Sequence, residues 1–368
     1  MSERQKTRVL WLTNLPAPYR FPVWDRMAKE VELKVVFLLK RRNWRNWPEP
    51  RGKNWKHEYL SFNSWRISEY DIIPSFRGAR KMLQDVDVAI IGGWESPMFI
   101  RSILLAKKKK IKVIQFYESF SGTHRFRTGI IDWIRRWIFR KVDEFLVFSR
   151  ETSLLLNRYG IESTKITELF NPIDVHWFHR IAVENRTESD AGHRYLYVGQ
   201  LIDRKNIDKI IAAFAAARRQ GDKLTIAGDG PLQQTLKDFV EYRGLTTCVQ
   251  FIGAKSSKDI ALQYAINDTL ILASKNEVWG LVVNEALASG MHVVVSENCG
   301  VTNFVKDMKG VYISTLQLES LIGQLRKSAD FWKGQISQPE ILKYSTEFFA
   351  ELVIECLFKS GIKSEGRN

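Results

Sequence analysis

Ten short apolar runs, each followed by a stretch long enough for a helix, constrain this chain more than any other feature. The first five are Val9 to Leu12, Leu33 to Leu39, Val88 to Ile91, Val113 to Tyr117 and Phe145 to Phe148. A polar interval, AVENRTESDAGH from Ala182 to His193, interrupts the rhythm, which restarts with Tyr195 to Val198, Leu224 to Ala227, Val249 to Ile252, Leu270 to Ala273 and Val293 to Ser296. Strand followed by helix, repeated, is the pattern of a parallel sheet whose crossovers cover both faces. The chain therefore reads as α/β, with two domains in tandem, and its 368 residues suffice for two cores. Expected boundaries are 1–175 and 176–340, with Asn171-Pro172 suiting a hinge because proline restricts the residue before it. The remaining residues, 341–368, read as a helical tail around EFFAELVIECLF.

Composition narrows the partners. Lys and Arg outnumber Asp and Glu by 56 to 41, a net charge of +15, which favours phosphorylated molecules, nucleic acid or anionic lipid surfaces. Three well-separated cysteines, Cys248, Cys299 and Cys356, fit neither a disulfide framework nor a zinc site. No apolar run is long enough to cross a bilayer, and the apolar run at Val9 is too short for a signal peptide. A cytoplasmic protein is expected.

The segment SKNEVWGLVVNEALASG, from Ser274 to Gly290, carries the sharpest chemistry. Its GLVVNEALAS portion suits a helix, and Gly290 suits the position just past the end. Glu285 then lies in the second turn and Glu277 in the preceding loop. The helix start offers free N–H groups and a partial positive charge for a phosphate, while two carboxylates accept hydrogen bonds from hydroxyls. A sugar nucleotide has both needs. The blander alternative is a favourable pre-helix charge at Glu277 and a solvated Glu285.

The pattern EVWGLVVNEALASGMHVVVS resembles the Glu, seven residues, Glu signature of the family 4 retaining glycosyltransferases of the GT-B fold. YVGQLIDRKNID (Tyr195 to Asp208), LTIAGDGP (Leu224 to Pro231) and FIGAKSSKDIALQYAINDTLILAS (Phe251 to Ser274) resemble that family's blocks in the same order. NLPAPYRFPVW (Asn14 to Trp24), FYES (Phe116 to Ser119) and FNPIDVHWF (Phe170 to Phe178) are similar to its first-domain segments. The resemblance implies two Rossmann-like domains facing each other across a cleft, with a nucleotide-sugar as co-substrate and no metal or other cofactor. It also implies donor-sugar contacts at Glu277, ribose contacts at Glu285, and diphosphate contacts from the backbone at Gly280 and Leu281. Gly228, Gly230 and Gly253 belong to the donor-side blocks. The family's phosphate clamp is an arginine and a lysine after the VG pair. Here Gln200 stands in the first place and Lys205 in the second, so Arg204 is the candidate for the missing charge, since a guanidinium grips phosphate in two-pronged fashion.

On the first domain, the loop of Asn14, Pro18, Tyr19 and Arg20 follows the first strand, where open α/β sheets bind ligands. These residues are expected on the acceptor side. Relatives in the family carry a histidine after the strand at Val113 to Tyr117; this chain offers Glu118 there, a catalytic candidate, and His124 beyond it on the acceptor side.

Two basic and aromatic stretches remain. In IIDWIRRWIFRK (Ile130 to Lys141), Ile130, Trp133, Ile134, Trp137 and Ile138 share a helical face. Burying that face in the core is the preferred reading, with docking on an anionic membrane as the alternative. Trp44, Trp47 and Trp55 beside Arg41, Arg42 and Arg45 form the second stretch. Asp85-x-Asp87 alternates with valine just before VAII and reads as the start of a strand rather than a metal pair.

The expected function is retaining transfer of a hexosyl or N-acetylhexosaminyl group from a nucleotide-sugar, UDP-linked first and GDP-linked second, to a hydroxyl of a lipid-linked or cell-envelope glycan. A peripheral position on the inner face of the cytoplasmic membrane goes with that acceptor. Transfer to a soluble sugar phosphate or small molecule is the alternative within the class. A basic nucleic-acid-binding protein is the alternative outside it, but no compact nucleic-acid motif is present and no nucleic-acid partner is expected. A nicotinamide oxidoreductase is disfavoured because no Gly-x-Gly-x-x-Gly follows the first strand.

Overall fold

The computed structural model describes residues 6–39, 49–50, 52, 54–60, 65–67, 70–72, 78–117, 128–187 and 192–359. The chain divides into two compact units, Met1–Phe170 with Thr346–Asn368, and Asn171–Ser345.

In the first unit, strands β1 (Arg8–Thr13), β2 (Glu32–Phe37), β3 (Lys56–Tyr59), β6 (Val88–Ile91), β7 (Lys112–Tyr117), β8 (Glu144–Val147) and β9 (Ile166–Glu168) form a parallel sheet ordered β3-β2-β1-β6-β7-β8-β9. A separate antiparallel pair joins β4 (Trp65–Ile67) to β5 (Tyr70–Ile72). The crossovers carry α1 (Phe21–Glu30), α2 (Ala79–Met82), α3 (Pro97–Lys108), α4 (Ile130–Phe139) and α5 (Arg150–Arg158). Central strands covered on both faces must be apolar at consecutive positions, and Val9 to Leu12 and Val88 to Ile91 are completely buried.

The second unit opens with α6 (Val175–Asn185) and alternates β10 (Arg194–Val198), α7 (Ile207–Ala217), β11 (Lys223–Ala227), α8 (Gln233–Tyr242), β12 (Val249–Gly253), α9 (Ser257–Ile266), β13 (Thr269–Leu272), α10 (Leu281–Ala288), β14 (His292–Ser296), α11 (Thr302–Val305), β15 (Val311–Ser314) and α12 (Leu318–Asp330). Its parallel sheet is ordered β12-β11-β10-β13-β14-β15. The helix α13 (Thr346–Phe358) belongs to the first unit, where Phe349 packs on Phe116, Phe148 and Phe170. The sequence pattern left its packing partner open; three phenylalanines at the ends of β7, β8 and β9 supply it.

Both sheets fasten their central strands with the same device. Asp87, just before β6, accepts from the Arg8 backbone at 2.9 Å and from Arg8 Nη2 at 2.9 Å. Asp268, just before β13, accepts from the Arg194 backbone at 2.7 Å and from Arg194 Nη2 at 2.8 Å. A two-pronged arginine–carboxylate pair fixes register as well as charge. Asp87 is therefore engaged at the start of a strand.

In each sheet the order of strands reverses once, between β1 and β6 and between β10 and β13. Ligands of open α/β sheets gather at such reversals, beyond the carboxyl ends of the strands.

Candidate functional site

The loops that leave β10 and β13 diverge from the reversal point of the second sheet, and they bring three charged residues together. After β10 the chain passes Gly199 and forms a short 3-10 turn, Asp203–Lys205, ended by Asn206 in the left-handed region at φ 59°. Asn206 is buried and donates from Nδ2 to Ala273 O at 3.2 Å, which ties the turn to the end of β13. The backbone of Lys275 donates to Arg204 O at 2.9 Å, and Lys275 Nζ meets Asp203 Oδ1 at 2.7 Å.

Held in this way, Lys205 Nζ pairs with Glu277 Oε2, and Arg204 Nη1 reaches the same oxygen at 3.0 Å. Arg204 Nη1 also donates to Asn276 O at 2.6 Å. Glu277 is anchored from behind: its backbone donates to Asn298 O and accepts from Gly300 N. The two cations expected to grip phosphate thus converge on the acid expected to read sugar hydroxyls.

Glycines set how closely the neighbouring loops approach. Gly228 has φ 146°, and a Cβ there would lie 1.8 Å from Gly199 O. Gly228 N donates to Gly253 O at 2.9 Å, and Gly199 N to Ala227 O at 3.0 Å. A Cβ on Gly230 would lie 2.4 Å from Leu201 O. Gly228, Gly230 and Gly253 therefore interlock the loops beyond β10, β11 and β12.

Gly280, at φ 106°, turns the chain into α10 and supplies no side-chain cap, so the helix starts with uncapped backbone donors. A Cβ there would meet Leu272 Cδ2 at 2.8 Å. Leu281 opens the helix, and Glu285 follows in its second turn, half-buried and accepting from Tyr264 Oη at 2.7 Å. Burial pushes the Glu285 carboxyl up to about 7 despite the opposing hydrogen bond from Tyr264. Tyr264, fully buried on α9, was not singled out from the sequence. Nothing in the linear pattern links it to Glu285, because the contact joins two separate helices.

In the first unit, the loop after β1 holds Asn14, whose carbonyl accepts from Leu39 N at 3.0 Å, and a 3-10 turn of Pro18, Tyr19 and Arg20. Arg20 is buried: Nη1 donates to Thr13 Oγ1 at 3.2 Å, and the guanidinium lies 4.7 Å from the Phe116 ring centre and 5.5 Å from that of Tyr19. Gln115, buried on β7, donates to the carbonyls of Ile91 and Gly93 and fixes the loop after β6. Glu118 and His124 lie outside the described residues.

The core reading of the Ile130 to Lys141 stretch is corrected at its tryptophans. Trp133 and Trp137 stand out from α4, whose buried residues are Asp132, Arg135, Ile138 and Phe139. Trp55 is buried against Trp24 and donates to Asp25 Oδ1 at 2.9 Å, whereas Arg41, Arg42, Trp44, Arg45 and Trp47 lie outside the described residues.

The family model for Glycosyltransferase Family 4 matches residues 28–177, and that for Glycosyl transferases group 1 matches residues 183–329. Together they take in both units and well over half of the chain. The chain belongs to the family 4 glycosyltransferases. Among relatives of this glycosyltransferase, the alpha-monoglucosyldiacylglycerol synthase of Streptococcus pneumoniae is 26% identical over 67% of this chain and 63% of its own. The alpha-D-kanosaminyltransferase of Streptomyces kanamyceticus is 30% identical over 50% of each chain. The chain thus spans less than two thirds of the length of these relatives. Solved structures extend the likeness of fold. The lipopolysaccharide outer core galactosyltransferase WaaB matches with a TM-score of 0.72 at 16% identity over 96% of this chain and 100% of its own. HepE from Anabaena, in complex with UDP, matches with a TM-score of 0.70 at 13% identity over the same shares. The glycosyltransferase therefore has the two parallel-sheet α/β domains of the GT-B fold.

Proposed function

We propose that this glycosyltransferase moves a hexosyl or N-acetylhexosaminyl group from a nucleotide-sugar, UDP-linked by preference and GDP-linked second, to a hydroxyl of a lipid-linked or envelope glycan, with retention at the anomeric carbon. The observation that carries the reading is the convergence of Lys205, Arg204 and Glu277 beside the uncapped start of α10. In the reaction the bond from the anomeric carbon to the diphosphate breaks, a bond to the acceptor oxygen forms on the same face, and the acceptor proton passes to the departing diphosphate. Negative charge grows on the diphosphate as its bond breaks. Lys205, Arg204 and the backbone donors at Gly280 and Leu281 stabilise it, and Glu277 turns from the cations to the donor-sugar hydroxyls.

Relatives support both ends of this reading: a monoglucosyldiacylglycerol synthase names a lipid acceptor, and a GDP-mannose-dependent alpha-mannosyltransferase of Mycobacterium tuberculosis names a nucleotide-sugar donor. A soluble acceptor is supported by the N-acetyl-alpha-D-glucosaminyl L-malate synthase of Bacillus anthracis. Thermal stabilisation by UDP, GDP and ADP, repeated with Glu285→Ala, selects the base, because a ligand of the folded state raises Tm. Transfer from the matching sugar nucleotide, with the product's anomeric configuration read by NMR, then tests retention and separates lipid from soluble acceptors. An inverted product or no nucleotide response overturns the reading.

Glu285 should make nucleotide binding pH-dependent. Ribose hydroxyls donate to its carboxylate, so the bound state favours the ionised form, whereas the free carboxyl titrates at about 7. Below that pH, binding must expel a proton, and affinity should fall by up to about tenfold per pH unit. Wild type should therefore bind nucleoside diphosphate more weakly at pH 6 than at pH 8, and Glu285→Gln should keep only the ligand's own titration. In the free protein the sign is opposite: the raised value contributes stability that is complete below the ordinary carboxyl range and is lost as pH rises through about 7.

We also propose that the reaction is metal-independent, since Lys205 and Arg204 supply fixed positive charge at the expected phosphate position. Excess EDTA should leave the rate of transfer unchanged. A large loss restored by added Mg2+ would assign the phosphate charge to a cation instead.

A further inference from the structure

The helix α4 anchors itself through Ile138 and Phe139, which are completely buried, and buries charge beside them while leaving other apolar side chains in solvent. Its carboxylate, Asp132, and its guanidinium at Arg135 are buried, whereas Ile130, Trp133 and Trp137 are 74%, 65% and 42% exposed. Spacing of three and seven residues places those apolar side chains on one face. Tryptophan side chains left in water on one stripe of a helix are an unusual expense for a folded protein, and they mark an interaction surface.

The inward polar residues hydrogen-bond to one another and so lock this orientation. Tyr159 Oη donates to Asp132 Oδ1 at 2.7 Å, Arg136 Nε donates to Asp132 Oδ2 at 2.8 Å, and the Arg135 guanidinium lies 4.5 Å from the Trp94 ring centre. Burial opposes the charge of Asp132, but the hydrogen bonds from Tyr159 and Arg136 outweigh it and hold the carboxyl below its usual range. Rotating the tryptophans inward would break this network. Their outward display is built into the fold.

Charge selects the occupant. Asp132 is the single acid of α4 and is turned inward, so its outward face carries none. Arg136 and Arg140 are exposed beside the stripe, and Lys141 Nζ stands 4.6 Å from the Trp137 ring centre. A two-fold pairing of this face with a second copy would set these cations against their own images, which repel. Tryptophan, isoleucine and flanking cations together match a bilayer with anionic headgroups: the rings settle at the boundary between headgroup and acyl chain, and the cations meet lipid phosphates.

We propose that the outward face of α4 docks the protein on anionic membrane, through Ile130, Trp133 and Trp137 with Arg140 and Lys141 alongside. The docking stands independently of the sugar-transfer reading, because none of these residues belongs to the nucleotide-sugar site.

The test is flotation of the full chain with vesicles of phosphatidylcholine alone or mixed with phosphatidylglycerol. Wild type should float with the mixed vesicles, and added salt should weaken the association. The double variant Trp133→Ala, Trp137→Ala should partition at least about tenfold more weakly with an unchanged Tm and unchanged nucleotide binding. Arg140→Glu with Lys141→Glu should remove the preference for phosphatidylglycerol. Three results overturn the proposal: wild type that ignores both vesicles, a tryptophan variant that floats as well as wild type, or a tryptophan-dependent dimer or RNA complex in protein that ignores vesicles.

Discussion

Lys205→Ala should lower kcat by about 10²–10³-fold, the loss expected when one preorganised donor to a developing oxyanion is removed. Lys205 closes a 3-10 turn pinned to the end of β13 by Asn206, so its ammonium is positioned before any ligand arrives. Preorganised charge contributes most where charge grows during the reaction, and here that is the leaving diphosphate. Stability should change far less than turnover, because Arg204 remains 3.0 Å from Glu277 Oε2 and the acid keeps a partner. The measurement is kcat at saturating donor together with Tm and the Kd for nucleoside diphosphate. A variant with the wild-type kcat removes Lys205 from the mechanism. A variant whose Tm collapses makes the pair with Glu277 structural.

The strands legible in the sequence are those buried on both faces. Ten apolar runs correspond to β1, β2, β6, β7, β8 and to β10, β11, β12, β13, β14, and the two reversals of strand order follow once the sheets are assembled. The strands that the runs did not reveal are short or at the margins. β3 is KHEY, largely exposed, β9 is three residues long, and β15 is mostly half-buried. An edge strand has one neighbour and a less protected face, so its sequence does not need a continuous apolar run.

Side-chain direction was harder to read than backbone. In α4 the expected apolar face is split, with Ile138 buried and Ile130, Trp133 and Trp137 exposed, and hydrophobicity alone does not reveal that split. The deciding residues are Asp132, Arg135 and Tyr159, which form a buried polar network across two helices and outcompete the tryptophans for the interior. The same limit applies at the candidate site. Lys205, Arg204 and Glu277 were legible as candidates from motif resemblance, but that the two cations meet the acid is a consequence of how the loops after β10 and β13 are tied. Tyr264 beside Glu285 and Gln115 beneath the loop after β6 were not legible, since each acts through a contact far away in the chain.

Gly228→Ala separates a ligand-binding glycine from a packing one, and it should destabilise the second unit by at least about 3 kcal/mol, from strain at positive φ and overpacking together. The methyl group would sit 1.8 Å from Gly199 O, a backbone atom that has no rotamer in which to retreat. Gly199 is itself held by its donation to Ala227 O, and Gly228 by its donation to Gly253 O, so relief on one side breaks a hydrogen bond on the other. Gly230, two residues on, meets a similar close approach of backbone at Leu201 O. A glycine needed only for close approach of phosphate would behave differently: its alanine variant would keep the wild-type Tm without nucleotide and lose the increment that nucleotide adds. For Gly228 the melting temperature should fall in the absence of any ligand, and hydrogen exchange should rise first in β10, β11 and β12. An unchanged ligand-free Tm with a lost nucleotide increment would return Gly228 to the donor site and show that the loops beyond β10 and β11 can separate.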